Sequence, residues 1–135
     1  MVPLVIRFGQ EVHLYGEISL EEYWEKVSKG PYPPETSQPS VGQFEQTFGP
    51  LVQEGYDIVC LTITGKHSGT FNSAYAASQS FPGRVSVFDT LSLSLAQGCQ
   101  VIAAAKAAAE GRSLEEVLAL LESIRNRMQM FIGLD

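Results

Sequence analysis

Residues 57–64, DIVCLTIT, most restrict what this chain can fold into. Their apolar residues run on without the polar alternation of a strand that has one wet face. Such a run is typical of a parallel strand covered on both faces. The residues that follow, 65–75, read GKHSGTFNSAY. A buried strand that leaves through a loop of Gly, Ser and Thr and then enters a helix collects backbone amides at its carboxyl end. That is where open α/β sheets bind ligands. What this turn holds is therefore the central functional question.

The rest of the chain agrees with an α/β frame. Residues 2–8, VPLVIRF, read as a strand, and Gly9-Gln10 as a turn into EVHLY. Ser19 with Glu22 forms a capping-box pattern, followed by Tyr23, Trp24 and Val27 at helical spacing. Three prolines in residues 29–34 demand an irregular connection. Ser40 with Gln43 opens a second helix, with a stripe of Phe44, Phe48, Leu51 and Val52. Gly49-Pro50 is expected to kink or divide that helix, and Gly55 to end it. A helix should follow the central loop to about residue 80, then a turn at Pro82-Gly83 and a strand over residues 84–89. An Ala-rich helix over residues 92–110 should stop at Gly111. Ser113 recaps a last helix with Leu114, Val117, Leu118, Leu121 and Ile124 on its apolar stripe. Residues 128–135, MQMFIGLD, read as a final strand. The alternation predicts a three-layer α/β/α fold with a mostly parallel sheet, in one domain over residues 1–135.

Bulk properties narrow the function. The chain has 135 residues, 44% of them hydrophobic, and a mean hydropathy of +0.03, the composition of a soluble domain with a core. Net charge is −6, and the nine Lys and Arg residues are scattered, which argues against a nucleic-acid surface. An acidic chain also has little general attraction for anionic membranes. Cys60 and Cys99 lie in no CxxC or Cys/His cluster, so they read as small hydrophobes in a reducing compartment. No metal-ligand spacing or cofactor motif stands out. There is no secretory leader pattern and no window approaching about 18 apolar residues. The cytoplasm is the expected location.

Three reactive readings of the turn can be tested against spacing. A Walker A loop needs Gly where Cys60 stands and Ser or Thr where His67 stands, so the match fails twice. A nucleophile elbow has the right strand–turn–helix context, and Gly65 and Gly69 have the right separation. Its serine, however, falls one place late, at Ser68, with His67 at the tip and His13 as the only other histidine. A phosphocarrier would use His67. What the loop offers more directly is anion binding. Gly69 admits a close approach, and the N–H groups of Gly69, Thr70 and Phe71 would lack intrahelical partners. A carboxylate there gains roughly 0.3–1 kcal/mol from the helix dipole, up to about 2 kcal/mol when partly buried. Ser68 and Thr70 hydroxyls can donate as well. The bland alternative is an ordinary serine cap.

Two separated stretches carry a resemblance: Thr36-Ser37-Gln38-Pro39, leading into a helix, and Ser68-Gly69-Thr70-Phe71-Asn72-Ser73-Ala74, after an apolar strand. Together they resemble the T-S-Q-P and S-G-T-[YF]-x-S-A motifs of the DegV family of fatty-acid-binding proteins. The flanks VPLVIRFG, ISLEEYWEKV and RVSVFDTLSLSLAQG are similar too, so the likeness spans nearly the whole chain. It implies a fatty-acid carboxylate held by Thr36 and Ser68, supported by Ser37, Gly69 and Thr70, with the acyl tail in an apolar cavity. It implies a non-enzymatic lipid-binding protein that presents the carboxylate to a separate fatty acid kinase subunit. The chain departs from the family in lacking a first strand with a T-D-S segment and a second domain. The D-G-x-D-I segment appears as YGEI at residues 15–18. The resemblance therefore implies most of a first domain only, with an uncovered parallel edge that would invite pairing with a second copy. A hydrolase or phosphocarrier on His67 or Ser68, and a self-associating domain that binds nothing, remain the alternatives.

Overall fold

The computed structural model describes residues 1–131. Its elements are β1 (Val5–Phe8), β2 (Glu11–Leu14), α1 (Leu20–Lys29), β3 (Pro34–Ser37), α2 (Val41–Gln53), β4 (Ile58–Thr62), α3 (Thr70–Ser78), β5 (Val85–Asp89), α4 (Ser94–Ala109) and α5 (Leu114–Arg127).

β4 and β5 pair in parallel, with Ile58 opposite Val85 and Thr62 opposite Asp89. Both faces of this pair are covered, as the unbroken apolar run of β4 requires. On one face Ile58, Cys60, Val85 and Val87 pack against Phe44 and Phe48 of α2 and Ala74 and Ala77 of α3. On the other, Phe88, Val59 and Leu61 pack against Ala104 and Ala107 of α4 and Val117 and Leu121 of α5. This is the expected α/β/α layering.

The first strand goes elsewhere. β1 lies between β2 and β3 in a separate antiparallel sheet. Gly9 takes φ +62, which makes the tight turn from β1 to β2. β3, PETS, has no apolar alternation, and nothing in its own sequence marks it as a strand. Its pairing with β1, Ile6 opposite Thr36 and Val5 opposite Ser37, supplies the order instead. Pro34, which lacks an N–H, sits at the first position of this edge strand.

The caps fall where the sequence puts them. Ser19, Ser40 and Ser113 accept from the N–H groups of Glu22, Gln43 and Glu116. Pro50 does not divide α2, which runs unbroken to Gln53. The turn after β5 is longer than expected: Leu91 and Ser94 both have positive φ, 49° and 50°, and α4 starts at Ser94 rather than 92. The expected final strand is not present over residues 128–131, which are irregular, and residues 132–135 lie outside the described region. No helix among the described residues is long and apolar enough to cross a membrane.

Candidate functional site: the first turn of helix α3

The seven residues after β4 carry the chain from the sheet to α3. Asp89, the last residue of the neighbouring strand, fixes the start of this loop: its Oδ2 accepts from Gly65 N at 3.1 Å and its Oδ1 from Leu91 N at 2.9 Å. Buried Thr64 accepts from Lys66 N through its hydroxyl at 3.3 Å, and from His67 N through its carbonyl, also at 3.3 Å. Both rungs leave the His67 side chain exposed.

Ser68 is half-buried. Its Oγ accepts from Thr70 N at 3.2 Å and lies 2.9 Å from Thr70 Oγ1. The residue at the cap position is Gly69, however, and it makes no side-chain cap bond. One amide of the first turn is thus occupied by Ser68. Those of Gly69 and Phe71 have no side-chain partner among the described residues, the state that admits an anion. α3 buries Thr70 and Ser73 in this turn, then Ala74, Ala77 and Ser78 farther along.

Thr36 and Ser37 lie exposed on β3, and no hydrogen bond joins Thr36 to Ser68 among the described residues. The two motifs meet instead through Gln38. Its Nε2 donates to Ser73 Oγ at 3.4 Å, and its carboxamide lies directly over Gly69, where any Cβ would overlap it. The need for glycine at position 69 is therefore a close approach. Its φ of −74° would suit any residue. Gln38 was not among the candidate ligands. Its place in the T-S-Q-P stretch was the available signal.

The nucleophile-elbow arrangement is not formed. Ser68 bonds to Thr70 rather than to a histidine, and His13 lies on β2, its Nε2 3.0 Å from Glu11 Oε1. Nor do three or more acidic, His or Cys side chains gather as a metal site among the described residues.

Two further groups complete the surroundings. Thr62 ends β4 with a hydroxyl that is buried and has no partner among the described residues. Such a group costs about 1–3 kcal/mol unless something satisfies it. Cys60, two residues earlier on the same face, has its thiol pushed up to about 11 by burial. A separate apolar groove of about 470 Å³ lies against the opposite face of β4, lined by Val59, Leu61, Val101, Ala104, Leu114 and Val117. The polar turn and this groove share a strand but not a face.

Comparison with known proteins gives these features a lineage. The model of the DegV family, described as uncharacterised proteins, matches residues 1–135. A DegV domain-containing protein of Deinococcus radiodurans is 36% identical over 124 residues, covering 91% of this chain and 44% of that protein. Among solved structures, a DegV family protein from Thermus thermophilus, described for its fatty acid binding, is 41% identical with a TM-score of 0.85, over 93% of this chain and 45% of that one. DegV of Bacillus subtilis, described as a fatty acid binding protein, is 30% identical with a TM-score of 0.84, over 93% and 46%. The chain thus spans less than half the length of these relatives.

Proposed function

We propose that the chain, which belongs to the DegV family, binds a long-chain fatty acid with its carboxylate at the first turn of α3. The observation that carries this reading is an open helix N-terminus, capped by a glycine and flanked by hydroxyls, with the Thr36–Gln38 segment laid against it. Fatty acid binding by the Thermus and Bacillus proteins supports the choice of anion.

In this reading the Ser68 hydroxyl turns from Thr70 to donate to one carboxylate oxygen. The amides of Gly69 and Phe71 face the other, and Thr36 closes over them from β3, with Ser37 and Thr70 as support. Charge-assisted bonds of this kind orient the head. Affinity comes from the tail, at roughly 0.8 kcal/mol per buried methylene. The exposure of Thr36 and Ser37 keeps the head reachable, which suits presentation to a separate kinase subunit that phosphorylates the carboxylate. The chain then supplies binding rather than catalysis.

Solvent extraction of the purified protein followed by mass spectrometry tests this directly. A co-purifying C16–C18 acyl chain is expected, lost in Ser68→Ala and reduced in Thr36→Ala. Protein without lipid, and with no thermal shift on adding palmitate or oleate, would end the claim for this chain.

A further inference from the structure

The unpartnered hydroxyl of Thr62 needs a reason. Side chains on β4 alternate between faces, so Thr62 shares a face with Ile58 and Cys60, the face α2 and α3 cover. α3 runs back along β4 from the loop, which sets its first turn at the carboxyl end of the strand, where Thr62 stands. Beneath α3 the buried residues along this line are Ser78, Ala77, Ala74, Ser73 and Thr70, so hydroxyls lie at both ends with alanines between, and Ser73 and Thr70 mark the end nearest the loop. Thr62 is the sheet residue at the Thr70 and Ser73 end.

The other buried hydroxyls around this end of the sheet are satisfied. Thr64 accepts from Lys66 N, Thr90 donates to Thr62 O at 2.7 Å, Ser92 accepts from Gln100 at 3.0 Å, and Ser73 accepts from Gln38. Thr62 Oγ1, in a residue only 3% exposed, has no partner among the described residues. Over Ser73 lies the Gln38 carboxamide, the far end of an otherwise exposed side chain. A carboxamide and a carboxylate are planar groups of nearly the same size, so a ligand head can take the place of one by displacing the other.

We infer that Thr62 is a further ligand-binding residue of the carboxylate site: when a fatty-acid head displaces the Gln38 carboxamide, the Thr62 hydroxyl donates to it from beneath the first turn of α3. The inference rests on the carboxylate-binding reading above. It makes the unpaired hydroxyl a feature of the empty protein that the ligand relieves, as expected where local rules of polar satisfaction break at a functional site.

Isothermal titration of oleate into the 135-residue chain, with Tm measured on each ligand-free variant, decides the matter. Thr62→Val keeps shape and removes the hydroxyl. It is expected to raise the Tm by about 3 °C, because an unsatisfied buried group is gone. It is also expected to weaken oleate binding about tenfold, because a bond to a charged acceptor is lost. Thr62→Ser, which restores the hydroxyl, should bind within about twofold of the wild type. A raised Tm with unchanged affinity overturns the inference and leaves the hydroxyl to a buried water or to nothing. A lowered Tm means that the hydroxyl is already satisfied, and overturns it equally. If Ser68→Ala loses binding in the same series, the carboxylate reading survives such a failure. If the wild type binds no oleate, both fall.

Discussion

The two sheets of this protein are built to different standards. The β4–β5 pair has helices on both faces and a cluster of fully buried side chains on each. The β2–β1–β3 sheet buries only Ile6 and Phe8 from its strands, and its helix α1 has no buried residue at all. α1 is held by its Ser19 cap, by the edge-on contact of Tyr23 with Phe8 at 5.9 Å between ring centroids, and by Lys26, which bonds Glu11 at 2.8 Å. The candidate site straddles the two. Ser68, Thr70 and Ser73 stand on the well-packed half, Thr36, Ser37 and Gln38 on the thin one, and the Gln38–Ser73 bond crosses between them. A candidate site divided in this way combines a helix start anchored in the well-packed half with a cover that is cheap to shift.

The largest test of that contrast is in the core. Leu121→Ala, at a fully buried position under the parallel pair, should cost about 3 kcal/mol in urea unfolding. Val12→Ala, half-exposed on β2, should stay within about 0.5 kcal/mol. Equal losses would break the comparison. Next, Gly69→Ala should cost about 1 kcal/mol or less, because the group it meets is the tip of a side chain that can swing away. The same change should shift the Gln38 carboxamide resonances in NMR spectra and weaken oleate binding. Resonances that do not move would deny the crossing contact. Thiol labelling sharpens the contrast further. Cys99 is exposed and should react at once with a maleimide, whereas Cys60, half-buried with its thiol raised to about 11, should react far more slowly.

The smallest effect belongs to the thin half. Hydrogen bonding to Lys26 holds Glu11 below the usual carboxylate range, and the same contact raises Lys26. The stability from Glu11 is therefore present above its unfolded pKa and lost as pH falls through the depressed folded value. That from Lys26 is present below its unfolded pKa and lost as pH rises through the raised one. Both groups are solvent-exposed, so Glu11→Gln should change the acid limb of a Tm-versus-pH curve only slightly, and less at high salt.

Much of the well-packed half was legible in the sequence, and for physical reasons. An apolar run without alternation dictates a strand covered on both faces, and Ser40 and Ser113 with Gln43 and Glu116 three residues on mark the helix starts locally. The thin half was less legible because its order is borrowed. PETS becomes a strand only by lying beside β1, and no periodicity within it announces that. β1 itself reads as a strand, but nothing in VIRF says which sheet it joins. The candidate site followed the same division. Gly69 and Ser68 at the mouth of a helix could be read from the turn. The Gln38 contact could not, since it depends on an absent Cβ 31 positions away. Thr62 was hidden in the other direction, as one more member of an apolar run.

Asp89 has a consequence beyond holding Gly65. One carboxylate oxygen takes the amide of Gly65 and the other takes that of Leu91. The loops that leave the two parallel strands therefore share a single brace, and the span between them is set by one planar group. Replacing that group with an amide, as in Asp89→Asn, puts a donor where an acceptor stood, so one of the two loops must let go. The mouth of the sheet is in this sense an arch with one keystone, and the turn that carries Ser68 springs from it.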